Sequence, residues 1–140
     1  MKILNVAYPL LPVGPGSAGG AEQILYLLER GLAQRQVQTF SVAAEQSQIS
    51  GELLATPAAS ANVTDEERSN AQKIHRQTIQ QLIAREHLDA IHFHGLDFGS
   101  YLPDADILMI ATIHLPVPWY EAGSLDRPNV HLVAVSETQA

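Results

Sequence analysis

Lys2-Ile3-Leu4-Asn5-Val6-Ala7-Tyr8, then Pro9, then Gly19-Gly20-Ala21-Glu22 at the head of a periodic segment, is the stretch that decides the fold. Ile3, Leu4, Val6, Ala7 and Tyr8 form an apolar run with little alternation, as expected of a strand covered on both faces in a parallel sheet. A loop rich in Gly, Pro and Ser spans residues 9–20. Ile24, Leu25, Leu27, Leu28 and Leu32 then recur at three- and four-residue spacing, with Glu29, Arg30, Gln34 and Arg35 on other faces. That spacing predicts an amphipathic helix over about residues 21–34. Strand, loop and helix in that order open an α/β fold.

Outward from this unit the alternation continues. Residues 39–44 read as a second strand, and Leu53, Leu54 and Ala55, stopped by Pro57, as a short third extended piece. In Thr64-Asp65-Glu66-Glu67 the Thr64 hydroxyl can cap a backbone N–H while Glu67 reaches back, which starts a long helix running to about Glu86. Residues 89–94, 107–114 and 130–135 read as three further buried strands, and Ser136-Glu137 as the N-cap and first turn of another helix. Strands alternating with helices predict a three-layer α/β sandwich with a mainly parallel, right-handed sheet.

Composition narrows the function. Eight Lys plus Arg against fifteen Asp plus Glu give a net charge of −7, so neither nucleic acid nor strong membrane binding is expected. With 46% hydrophobic and 16% charged residues, the 140-residue chain can fill one core, and a single domain over residues 1–140 is the natural expectation. There is no cysteine, which removes disulfides, thiolate metal sites and a thiol nucleophile, and leans towards a cytoplasmic location. No apolar run approaches the ~18 residues of a spanning helix, and the first eight residues are too short an apolar segment for a signal peptide.

Several residues could carry chemistry. Gly14, Gly16 and Gly19 match G-x-G-x-x-G, but Pro9-Leu10-Leu11-Pro12-Val13 intervene after the strand, so the loop is too long and stiff for the dinucleotide-binding turn. Gly19-Gly20 either leaves first-turn N–H groups open to an anion or simply permits a turn. His92 and His94, two apart on one strand, could chelate a metal with His114, yet no Asp or Glu stands at a companion spacing. The preferred reading separates them: His92 is structural, while His94 and His114 lie at carboxyl strand ends, where open α/β sheets bind ligands. Trp119, beside Pro118, Tyr120 and Glu121, could stack on a sugar ring or anchor its loop. Ser136 reads as a cap before a ligand contact. No metal and no cofactor is expected.

Taken together, the Pro-rich loop after the first strand, Gly19-Gly20-Ala21-Glu22, Asp89-Ala90-Ile91-His92-Phe93-His94, Ala111-Thr112-Ile113-His114 and Ala134-Val135-Ser136-Glu137 resemble the N-terminal half of a family 4 (group 1) glycosyltransferase of the GT-B fold. The resemblance implies one of two facing Rossmann-like domains, the acceptor side, with a hexose moved from a nucleoside diphosphate sugar to an acceptor hydroxyl with retention. It implies that Gly19 and Gly20 lie beside the donor diphosphate or sugar and that His114 contacts the transferred sugar in the catalytic role. Glu22, His94, Trp119 and Ser136 would serve substrate binding. The basic residues and the E-x7-E motif that grip the donor belong to a C-terminal domain absent from these residues, so the chain alone is expected to be inactive and to need that domain or a partner chain. Self-association through Leu10, Leu11, Val117 and Trp119 is a further expectation. Gln36-Val37-Gln38 departs from the Gly-His-Glu type turn of relatives. The competing reading is a nonenzymatic Rossmann-like nucleotide-binding or interaction module.

Overall fold

A computed structural model describes residues 1–136. Six strands, β1 (Lys2–Val6), β2 (Gln38–Ala44), β3 (Glu52–Thr56), β4 (Ala90–Phe93), β5 (Leu108–Ile113) and β6 (Val130–Ala134), form one all-parallel sheet in the order β3-β2-β1-β4-β5-β6. Helix α1 (Gly20–Gln34) joins β1 to β2, and α2 (Asp65–Arg85) joins β3 to β4. This is a Rossmann-like α/β sandwich, and strand order reverses at β1, whose neighbours are β2 and β4. The three remaining crossovers carry no α-helix: residues 45–51 make the first, and 3₁₀ turns at Phe98–Ser100, Val117–Trp119 and Ser124–Asp126 punctuate the other two.

Parallel register puts Leu4, Phe40 and Ile91 on one face with Val6, Val42 and Phe93. There they pack with Ile79 and Leu82 of α2, Phe98, Tyr101 and Met109 into the main core. The other face is smaller in its residues. Ala7, Val13, Leu25 and Ala43 form a second cluster beneath α1, with Asn5, Ser41 and Thr39 buried among the sheet positions of that face. Among the described residues, no helix is long and apolar enough to cross a membrane.

Two expectations about the helices change. Glu29 does not face solvent: it is fully buried, and its carboxylate accepts hydrogen bonds from Thr39 Oγ1 (2.7 Å), Ser50 N and Gly51 N (2.8 Å each). Ile24 and Leu27 of the same helix are exposed instead. The helix is rotated so that the carboxylate fastens α1 to β2 and to the β2–β3 connection, a set of donors no periodicity reports. At the start of α2, Thr64 Oγ1 accepts from Glu67 N at 3.1 Å as the capping pattern requires. Glu67, however, reaches past Thr64 to Ser60, accepting from its backbone N (2.8 Å) and hydroxyl (2.7 Å). Those bonds pull the Glu67 carboxyl below its ordinary value. The expected helix from Ser136-Glu137 lies beyond the described residues, apart from Ser136 itself, which is exposed.

Candidate functional site

The long loop after β1 is held away from α1. Val13 N donates to Ser47 Oγ (2.9 Å) and Gln48 N to Val13 O (2.8 Å), while Leu10, buried and left-handed at φ 78°, bridges to Ala58 beside β3. A chain anchored on the β2–β3 side returns to α1 only at residues 17–19, which leaves open space on both sides of the α1 N-terminus. One opening, about 410 Å³, lies between the loop and Gln46 and Gln48. The other, about 440 Å³, lies between α1 and the carboxyl ends of β4 and β5. Leu11, Gly19 and Glu22 line both.

The second cleft gathers Gly19, Gly20, Glu22, His94 and His114, residues far apart in sequence, together with Tyr8, Ile24, Leu96 and Val135. Open parallel sheets bring strand ends and helix N-termini to one edge in this way, and a crevice forms where strand order reverses. Trp119 is not in it: the side chain is 63% exposed on the 3₁₀ turn Val117–Trp119 and lines neither opening. Ser136 does not line it either. Of the residues expected to mediate self-association, Leu11 and Val117 are exposed with Trp119, but Leu10 belongs to the interior at 5% exposure.

The histidines stack. His92 and His94 have ring centroids 4.1 Å apart, and those of His94 and His114 are 5.5 Å apart. His92 stays with the sheet, its Nε2 2.6 Å from Thr112 Oγ1 on β5. His94 Nδ1 lies 3.2 Å from His114 Nε2, so one ring donates to the other and both nitrogens are spent. His114 Nδ1 is then the nitrogen of that ring the pairing does not use, while His94 Nε2, in a side chain only 3% exposed, has no partner. Burial lowers the pKa of all three, His92 to about 4, with the neighbouring imidazoles adding to the effect on His92 and His94. All are neutral near pH 7. Among the described residues, no group of three or more His, Asp or Glu is placed to hold a metal ion.

Supporting contacts fix these rings. The Tyr120 hydroxyl accepts from His114 N at 3.1 Å, a role the sequence did not assign to Tyr120, whose ring packs 6.2 Å from Phe98. Gly95, directly after His94, cannot carry a side chain without striking the Tyr101 hydroxyl. That hydroxyl donates to Asp97 Oδ1 at 2.8 Å, and Gln72 donates to Oδ2 at 2.7 Å. Burial still raises the Asp97 pKa against those bonds.

At the helix end, Glu22 occupies the third helical position and its carboxylate folds over Gly19, where any Cβ would overlap it. A side chain at position 19 would displace the end of the Glu22 side chain, so the glycine lets that carboxylate lie over the helix start. The carboxylate favours the positive end of the helix dipole, so α1 already holds a negative group at its own N-terminus. Neither opening is lined by Lys or Arg. Compared with known proteins, the chain matches no protein-family model and no curated protein.

Proposed function

We propose that this chain forms the acceptor side of a retaining glycosyltransferase that moves a hexose from a nucleoside diphosphate sugar to an acceptor hydroxyl. The observation that carries this reading is the cleft at the carboxyl edge of the sheet, where Gly19, Gly20 and Glu22 at the α1 N-terminus meet His94 and His114 at the ends of β4 and β5. Its chemistry suits hydroxyl groups. Glu22 accepts hydrogen bonds, while the neutral His94 Nε2 and His114 Nδ1 can each accept or donate according to tautomer. Tyr8, Leu11, Leu96 and Leu115 supply apolar wall for the faces of a sugar ring. Neutralising a departing diphosphate needs cations, and in this reading they come from a facing donor-binding domain or partner chain.

The test is a titration of the protein with simple glycosides, following the imidazole resonances. Saturable shifts confined to His94 and His114, weakened by His114→Ala, are expected. Glycosides that leave those two resonances unmoved while shifting others would remove the cleft from the argument.

A second reading, a nonenzymatic interaction module, draws on the exposed Ile24 and Leu27 of α1 and Val133 and Val135 at the β6 edge. It predicts no glycoside response at either histidine, and the same titration decides between them.

A further inference from the structure

Glu22 is 5% exposed, yet its carboxylate meets no hydrogen-bond donor and no cation among the described residues. Its oxygens are open to the cleft, where the helix dipole favours the negative charge. Next to it in the same cleft stands His94, still more buried and with Nε2 unpaired. A buried, unpaired imidazole nitrogen beside an unpaired carboxylate on the wall of one cavity marks the place of a ligand, since polar groups inside proteins are otherwise paired.

The sign of the ligand follows from the lining. Glu22 is the single formally charged side chain among the residues around either opening, with no Lys or Arg near it and both cleft imidazoles neutral. An anion placed at Gly19-Gly20 would have to displace the Glu22 carboxylate from the helix end or sit against it. A ligand that brings a positive charge instead gives the Glu22 carboxylate an ion-pair partner on the cleft wall. We infer that Glu22 is a specificity residue for a ligand carrying a primary ammonium group, an aminated sugar or cyclitol, with His94 Nε2 engaging a neighbouring hydroxyl. This rests on the acceptor reading only for the ring. The ammonium would donate to Glu22, and Tyr8, on the same cleft wall, adds an aromatic surface favourable to a cation.

The experiment measures binding of glucosamine, N-acetylglucosamine, glucose and ethanolamine to the whole chain by calorimetry near neutral pH, with inorganic phosphate as competitor. Glucosamine is expected to bind at least about tenfold more tightly than glucose or N-acetylglucosamine, whose nitrogen is neutral. Added salt should narrow the gap, and phosphate should not displace the sugar. Glu22→Gln, which keeps the shape and removes the charge, should reduce the preference to less than about twofold with an unchanged unfolding midpoint. Should that variant fail to fold, the glucosamine to N-acetylglucosamine ratio on the unaltered protein decides alone. Equal binding of the three sugars, binding of neither glucosamine nor ethanolamine, a preference surviving Glu22→Gln, or competition by phosphate would each overturn the inference. The acceptor reading fails separately: ethanolamine binding through Glu22 while none of the three sugars binds would keep ammonium recognition and end the glycoside reading. Glucose binding with no amine advantage would do the reverse.

Discussion

A single buried carboxylate, Glu29, ties three pieces of chain together. Its oxygens take donors from the β2 side chain Thr39 and from the backbone of Ser50 and Gly51, and it is fully buried. Replacing it by leucine leaves those donors unpaired in the interior, and we expect a loss of ~3 kcal/mol or more in urea unfolding. An unchanged midpoint would mean the three bonds contribute nothing net. Two histidines, His75 buried and His92 partly buried, set a pH dependence of known sign. His75 donates from Nε2 to the Ala7 carbonyl at 3.0 Å, and burial lowers it, like His92, to about 4. In the unfolded chain both return to about 6.5. Between those values the unfolded state binds more protons than the native state, so stability rises with pH there. It is fully present above pH 6.5 and is lost as pH falls towards 4, by ~3 kcal/mol for each histidine. Unfolding free energies measured from pH 7 to pH 4 should fall along that course, and His75→Gln, which retains a donor, should flatten it. A flat profile in the unaltered protein contradicts the assignment.

Among the elements, the short β2–β3 connection makes the tightest demand. A Cβ on Gly51 would collide with the Thr39 carbonyl and hydroxyl, so Gly51→Ala must shift either the loop or β2. A cost of about 1–3 kcal/mol is expected, as for other overpacked sites. Thr64→Ala removes the α2 cap and should cost ~1 kcal/mol. If both variants unfold at the midpoint of the parent, the local account of these two elements is wrong. These positions also show what a sequence discloses. The strands were legible because a strand buried on both faces reads as an unbroken apolar run, and the Thr64 cap because its pattern is local. The orientation of α1 was not: Glu29 looks like a surface residue until Thr39 and the residues 50–51 are folded onto it. Glu67 followed the spacing rule to Thr64 but found better donors at Ser60, which only the path of the preceding loop brings near. In the cleft, His94 and His114 were legible as strand-end residues, whereas their mutual hydrogen bond depends on β4 and β5 being neighbours. Trp119 misled because its composition suits a sugar while a 3₁₀ turn carries it outside the cleft.

At the scale of the whole molecule, the distribution of charge bears directly on catalysis. The chain has only eight Lys and Arg, and none lines either opening beside the α1 N-terminus. Lys2 is paired with Glu86 at 2.8 Å and Arg85 with Glu52 at 2.7 Å, while Arg30, Lys73 and Arg76 lie exposed on the two helices and Arg35 just past the end of α1. Under the proposed function, charge accumulates on the diphosphate as the sugar leaves, and each missing electrostatic donor costs ~10² to 10³ in rate. Without a donor-binding surface, the substrate is not held in place for transfer either. We therefore expect these 140 residues by themselves to bind an acceptor but not to turn over. The measurement incubates the protein with a panel of nucleoside diphosphate sugars and amino-bearing or neutral glycosides, following nucleoside diphosphate release. Sustained release, abolished by His114→Ala, would show that the exposed cations or the helix end suffice for the leaving group, and the division of labour argued from the charge distribution would have to be given up.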